Sequence, residues 1–270
     1  MSQSTKSSFS NVDASTNPDH FVRSLNQQIS SGLQAERKQR ILAHLDLQAG
    51  HHVLDVGCGT GLDAIEMAHN VGKTGNVIGI DFSQKMVAVS AETAQQTDLP
   101  LRFQQADAHD LPFDNNQFDR VRADRTFQHL ADPKAALAEL VRVTKPNGKL
   151  VIGDPDHDSV VIDTPYPDIT ARFLRFRSQS LASGGAAHQL YRLMSELGLR
   201  NIAVEPITTV YTDYASKITS PYIQEIWVAH EYGIVTKEEA DRWGAYLEAA
   251  VSAETFLCME TFIITSAIKP

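Results

Sequence analysis

The chain has 270 residues, 42% of them hydrophobic and 21% charged, a composition that belongs to folded globular proteins and excludes disorder as the main state. Asp and Glu number 33 against 24 Lys and Arg, and the formal charge of −9 repels polyanions, which argues against nucleic acid as a partner. The two cysteines, Cys58 and Cys258, stand far apart in no ligand spacing, and no apolar run is long enough to span a bilayer, so the expectation is a cytoplasmic protein without membrane segment or disulfide framework.

Residues 1–17 are polar, with no periodic apolar signal, and read as a flexible arm able to order over a site. Over 18–46 the residues Phe21, Leu25, Ile29, Leu33, Ile41, Leu42 and Leu45 recur mostly at helical spacing, broken near Ser30, Ser31 and Gly32, and predict two cap helices. From 51 to 154 strands and helices alternate. A strand over 53–56 runs into glycines and a helix over 63–68, and a strand over 77–80 precedes a helix over 84–95. A third strand covers 101–104. A fourth, 118–123, leads to a helix with Asp132 as N-cap, Pro133 in its first turn, and Leu137, Leu140 and Val141 on its buried face. Lys145, Pro146, Asn147 and Gly148 end that helix, and 149–153 is a fifth strand. Such cycles predict an α/β fold, a doubly wound, mostly parallel sheet with ligands at the carboxyl ends of its strands.

The rhythm changes after 154. Residues 154–167 read as a loop rich in acids and prolines, 168–181 and 187–197 as helices, 202–211 and 256–268 as strands, and 212–255 as two or three inserted helices. One domain over 18–270 is expected, with a cofactor-binding core at 51–154 and substrate-lid insertions at about 155–186 and 212–255.

The sharpest local signal is the turn carrying Gly57, Gly59 and Gly61 between a strand and a helix, where the backbone can approach a ligand closely. A dinucleotide loop places its third glycine one position later, where this chain has Leu62. Asp55, at the tip of the first strand, would oppose a pyrophosphate but suits the ammonium of an amino acid; the alternative is a loop-stabilising acceptor. Asp81, at the tip of the second strand, can accept both hydroxyls of a ribose, a feature nicotinamide enzymes share. Asp107 with Ala108, after the third strand, suits the amino edge of adenine or the cap of a helix.

Taken together and in order, Asp55 with its glycines, Asp81, Asp107 with Ala108, Leu111, Pro112 and Phe113, then Phe118 and Asp119, resemble the motifs of class I S-adenosylmethionine-dependent methyltransferases, of the small-molecule subgroup that includes quinone methyltransferases. The resemblance covers about 51–154 and implies a seven-stranded Rossmann-like sheet closed by an antiparallel pair, with helical lid insertions. It implies S-adenosyl-L-methionine as cofactor. Gly57, Cys58 and Gly59 would line the methionine part, Asp81 the ribose, Phe82 and Met86 the adenine faces, Asp107 and Ala108 the adenine edge, and the Arg125 backbone the methionine end. The amino-methylating DNA enzymes carry an Asn/Asp-Pro-Pro-aromatic motif where this chain has Asp124, Arg125, Thr126 and Phe127, so DNA bases are not expected as substrates.

Methyl transfer from a sulfonium is an in-line displacement of an activated group, for which positioning and exclusion of water supply most of the catalysis. His129, just past the fourth strand, is a candidate proton acceptor or a structural histidine. Asp156 and His157 are candidates for direct catalysis. Asp154, Asp156, His157 and Asp158 with Asp124 form an alternative set for a divalent cation, although no metal is the expectation. Arg172, Arg175 and Arg177 read as a solvated face, one of them able to pair with a substrate carboxylate. Phe173, Phe176, Tyr211, Tyr214, Tyr222, Trp227 and Trp243 read as core or as an apolar pocket. The expected activity is methylation of an O, N or C atom of a small natural-product or quinone-like acceptor by a monomer or homodimer. The rivals are an NAD(P)-dependent oxidoreductase and a non-catalytic nucleoside-binding module.

Overall fold

Val53, Leu54 and Val56 are all buried, as a central parallel strand covered on both faces requires. This strand, β1 (His52–Val56), pairs in parallel with β2 (Asn76–Asp81) and β4 (Phe118–Asp124); β3 (Leu101–Gln105) extends the sheet beside β2, and β5 (Thr144–Ile162) beside β4. Beyond β5 lies β7 (Cys258–Ile268), antiparallel to β5 and to the edge strand β6 (Arg200–Tyr211). The order β3-β2-β1-β4-β5-β7-β6 is the seven-stranded, mostly parallel sheet that the sequence implies. The computed structural model describes residues 12–13, 32–95, 97–213 and 221–270, with the side chains at 32–34 and 221 outside that description. The expected helix around Phe21, Leu25 and Ile29, most of the 1–17 arm, and Tyr214 fall outside the described residues.

Helices cover both faces. Ile41 and Leu45 of α1 (Gly32–Leu45) and Met67 of α2 (Leu62–Val71) pack with Val53, Val77, Phe262 and Ile264 on one face. On the other, α4 (Pro133–Val143) and α6 (Ala186–Glu196) bring Leu137, Leu140, Leu190 and Met194 against Leu54, Ile78 and Leu150. The helix α3 (Gln84–Ala94) is capped by Ser83, whose side chain accepts from Met86 N. A third core joins α5 (Pro167–Ser180), α7 (Pro221–Glu231) and α8 (Lys237–Ser252) to the upper ends of β5 and β7. No helix among the described residues is long and apolar enough to cross a membrane.

One expectation changes, and one left open is decided. The segment 154–167 is not all loop: β5 runs on to Ile162, pairing with β7 through Asp156 and again at Val161 and Ile162 across an irregularity. Its backbone groups find partners on β7, and Val160 and Ile162 enter the third core, so pairing overrides the acids and Pro155. The aromatics Phe173, Tyr222 and Trp243 are fully buried core, not a pocket. Phe173 and Trp243 meet edge to face at 5.1 Å, and Trp243 Nε1 donates to Thr170 Oγ1 at 2.9 Å.

Asp132 caps α4 as expected, its carboxylate accepting from Ala135 N at 3.0 Å beside Pro133. Asp132→Ala should lower stability by about 1 kcal/mol, read as an earlier midpoint in chemical denaturation with an unchanged slope.

Candidate active site

The glycine turn after β1 has Gly57, Gly59 and Gly61 at φ of 74°, 53° and 80°, a region that a side chain disfavours. Space excludes a Cβ as well: at Gly61 one would meet the Phe103 ring at 2.6 Å, and at Gly57 it would run into Thr126. The turn is drawn down onto the sheet because Gly57 N and Cys58 N both donate to Ile80 O, at 2.8 and 2.9 Å. Cys58 lies buried beneath it, and desolvation pushes its thiol well up, so it stays protonated.

At the tip of β2, Asp81 accepts from Gly59 N and Ser83 N, both at 2.9 Å, and so ties the glycine turn to the start of α3. Burial raises its pKa while these bonds oppose the rise. Each oxygen keeps a lone pair for a hydroxyl. Phe82 beside it is 63% exposed and free to stack, whereas Met86 is buried beneath and presents no open face. Asp107, half exposed, accepts from His109 N at 2.9 Å and pairs with His109 Nδ1 at 2.7 Å, while Ala108 is buried.

Asp55 is wholly buried at the tip of β1. Its Oδ1 accepts from Arg122 Nη1 at 2.7 Å, and its Oδ2 has no hydrogen-bond partner. Burial pushes its pKa up to about 6 against the pull of Arg122. The same guanidinium donates to Asp63 Oδ2 at 2.6 Å and Asp124 Oδ2 at 2.8 Å, and Lys38 of α1 pairs with Asp63. Burial alone would raise the pKa of Asp63, but Arg122 and Lys38 outweigh it and hold it at about 2. Arg125 Nε also faces Asp124 Oδ1 at 3.9 Å, so Asp63 and Asp124 each have a second cation while Asp55 has Arg122 alone. The bare Oδ2 of Asp55 fits the ammonium of a methionine moiety, and the close backbone of the turn fits the rest of S-adenosylmethionine.

After β4 the chain turns sharply at Arg125, a non-glycine residue at φ 54°, whose N donates to Gly153 O at 2.7 Å. Asp154 holds the following turn (Phe127–His129) by accepting from Phe127 N at 3.0 Å and Gln128 N at 3.4 Å. It is fully buried, and desolvation pushes its pKa up to about 8. His129, partly buried on that turn, is lowered to about 4 by desolvation and by Arg125, so its ring is neutral at physiological pH.

His157 is placed differently from a general base. Arg177 Nη1 donates to its Nδ1 at 2.9 Å, and since arginine cannot accept, the ring proton sits on Nε2 and is donated to Gln128 Oε1 at 2.6 Å. That orients the Gln128 amide so that its Nε2 donates to Arg125 O at 3.2 Å. Arg177 in turn pairs with Glu225 of α7 at 2.7 Å. Both ring nitrogens are thus engaged, and desolvation with the Arg177 charge drives the pKa down to about 3. Of the arginines read as a solvated face, Arg177 alone departs from it, drawn into the relay; Arg172 is exposed and pairs with Glu239 at 2.6 Å, and Arg175 is exposed at the rim of a cavity of about 600 Å³ between upper β5 and α5. His157, Val160 and Leu174 line the same cavity.

The residues of the alternative cation set serve separate partners. Asp124 serves Arg122, Asp154 serves the turn and His157 serves the relay, while buried Asp156 pairs with His188 Nδ1 at 2.9 Å. Ligand atoms of Asp156, Asp158 and His188 lie within 4.8 Å of one another, and an ion there would have to displace the Asp156 to His188 bond. Sequence reasoning passed over His188, Arg122 and Gln128. The one local clue was the pair Gly184 and Gly185 before α6, since a Cβ at Gly185 would meet His188 Cε1 at 2.7 Å.

The strand order and the acids at the tips of β1 and β2 define the Rossmann-like methyltransferase class of fold. The family described as a methyltransferase domain matches residues 47–196, more than half of the sequence, and the chain belongs to this class I methyltransferase family. An uncharacterised 37.1 kDa protein in transposon TN4556 of Streptomyces fradiae is 38% identical over 198 residues, covering 73% of this chain and 56% of that protein. A demethylmenaquinone methyltransferase of Oceanobacillus iheyensis is 36% identical over 129 residues, 47% of this chain and 54% of the relative. The chain spans little more than half the length of these curated relatives. A Haemonchus contortus phosphoethanolamine N-methyltransferase 2, solved with phosphomonomethylethanolamine and S-adenosylhomocysteine, superposes with a TM-score of 0.64 over 97% of this chain and 61% of that one. At 20% identity this likeness shows the fold.

Asp154 sets a pH test. Its folded pKa of about 8 lies above the ordinary 3.8, so the folded state holds a proton that the unfolded state releases between those values. Its contribution to stability is present at low pH and is lost as pH rises from about 4 to 8. In thermal melts, Asp154→Asn should remove that part of the decline, and a pH profile identical to the parent would contradict the assignment.

Proposed function

We propose that this chain transfers the methyl group of S-adenosyl-L-methionine to a small organic acceptor, in the manner of the quinone and natural-product methyltransferases. The observation that carries this reading is the half-paired, fully buried Asp55 beside the glycine turn, with Asp81 one strand over: a cation and a ribose are accommodated together. A pyrophosphate would be repelled by Asp55, which separates this reading from a nicotinamide enzyme. When bound, the cofactor supplies a methyl group on a sulfonium that leaves without acid catalysis.

Asp55, with the Arg125 carbonyl, holds the ammonium, Asp81 grips the ribose hydroxyls, Phe82 stacks on adenine, and Asp107 with Ala108 takes its amino edge. Gly57, Cys58, Gly59 and Gly61 shape the floor. His129, neutral and on the turn after β4, takes the proton of a hydroxyl nucleophile. The insertions at about 155–186 and 212–255 act as a lid that excludes water, and the match to a demethylmenaquinone methyltransferase supports an acceptor of quinone-like size and shape. A cytoplasmic location and a monomeric or dimeric state belong to the same proposal.

Calorimetry should register binding of S-adenosylhomocysteine and none of NAD; the reverse would return the chain to the oxidoreductases. Asp81→Ala should weaken S-adenosylhomocysteine binding by ~1.5–3 kcal/mol through loss of charge-assisted hydrogen bonds. With methyl-labelled cofactor and cell extract, mass spectrometry should find a labelled small molecule; label transfer to nothing would favour a nucleoside-binding module. On that acceptor, His129→Ala should lower turnover by roughly 10²-fold or more and leave cofactor affinity unchanged.

A further inference from the structure

The first turn of a helix leaves N–H groups without intrahelical partners, and at α3 these stand just beyond Asp81. Ser83 answers one of them, its Oγ accepting from Met86 N at 3.2 Å. The others are answered from far away in the chain: Asp13 Oδ2 accepts from Gln84 N at 2.8 Å, and Asp13 Oδ1 from Lys85 N at 3.2 Å. Asp13 Oδ1 also accepts the hydroxyl proton of Ser83, at 2.6 Å. The two caps of this helix end are therefore joined to each other.

Asp13 belongs to the arm that precedes α1 and lies outside residues 47–196, the stretch matched by the methyltransferase family. It is exposed, while Val12 before it is buried at 2% exposure, so this piece of the arm is seated on the body of the protein. A carboxylate is favoured at a helix N-terminus, where the peptide dipoles leave partial positive charge. Burial works against its ionisation, but the bonds from Ser83, Gln84 and Lys85 outweigh it and hold its pKa below the ordinary value. Ser83, at 4% exposure, links this cap to the ribose position: its N donates to Asp81 Oδ1 at 2.9 Å, and Asp81 Oδ2 accepts from Gly59 N, also at 2.9 Å. Asp13, Ser83, Asp81 and Gly59 thus form one unbroken line of hydrogen bonds from the arm to the glycine turn.

We propose that Asp13 is a positioning residue of the cofactor site, acting through Ser83 to hold Asp81 in place for the ribose hydroxyls. The inference rests on the methyltransferase reading above and adds to it a residue supplied by the N-terminal arm. Asp81 takes its orientation from two backbone N–H groups, and one of them belongs to Ser83. With Asp13 in place, the Ser83 hydroxyl proton is committed to the arm, and Gln84 N, Lys85 N and Met86 N all have acceptors. Without Asp13, Gln84 N and Lys85 N lose their acceptor, and the end of the helix that carries Ser83 frays. Part of the binding free energy of the ribose then goes into re-forming that turn.

The test is calorimetry on the full chain with S-adenosylhomocysteine and with 5′-methylthioadenosine, which keeps the ribose and adenine and lacks the amino-acid end. Asp13→Ala should weaken both ligands by the same factor, about tenfold, because the defect lies at the ribose. Asp13→Asn, which keeps the size and one acceptor but not the charge, should fall between the parent and Asp13→Ala. Thr236→Ala removes the side-chain cap of α8, outside the cofactor-binding elements, and should leave both affinities as in the parent. Parent-like affinities in a folded Asp13→Ala variant, an equal loss in Thr236→Ala, or a loss confined to S-adenosylhomocysteine would overturn the assignment. Failure of the parent to bind S-adenosylhomocysteine would instead strike the methyltransferase reading, so the two failures are distinguishable.

Discussion

One buried guanidinium organises the cofactor end of this molecule. Arg122, at 3% exposure in the middle of the sheet, gathers Asp55, Asp63 and Asp124 from β1, α2 and β4. Removing a single partner from such a group leaves a charge buried without compensation, which costs several kcal/mol, about 3–5 where such pairs have been broken. Asp63 and Asp124 each have a second cation nearby, Lys38 and Arg125, whereas Asp55 has Arg122 alone and its Oδ2 is left without a partner. The feature that makes the empty fold expensive is thus the one that makes a cationic ligand favourable at the tip of β1. Stability and binding draw on the same charges.

A second network extends from there to the helices α5 and α7. Glu225, Arg177, His157, Gln128 and the Arg125 carbonyl follow one another at hydrogen-bond distance, with every donor and acceptor assigned by the fact that arginine only donates. The insertion helices are thereby tied to the backbone turn that would meet the methionine end of the cofactor. His157 acts as a rigid link in this chain, and its low pKa follows from desolvation first and from the neighbouring Arg177 charge second. His129 lies one residue beyond Gln128 on the same turn.

Legibility differed by residue and for identifiable reasons. Asp55, Asp81 and Asp107 could be read as site residues because each ends a short apolar run, and a parallel sheet sends all such ends to one edge. Asp132 was legible from its neighbour Pro133 alone. Arg122 was not, since it sits mid-strand in Val121-Arg122-Ala123, and only the arrangement of three separate elements shows why a charge is tolerated there. The continuation of β5 to Ile162 was hidden because Pro155 and its acidic neighbours resemble a loop until β7, a hundred residues later, supplies their backbone partners.

By itself the sequence determined the βα repeat, the glycine turn and the acids at the strand tips, because these depend on local periodicity and on dihedral freedom within a few residues. Tertiary structure alone decided which charges meet: the Arg122 cluster, the tautomer of His157, and the ion pair that draws Arg177 of α5 to Glu225. Ion pairs and buried hydrogen bonds are contacts between side chains far apart in the chain. Their partners become definite only when packing has set the distances between them.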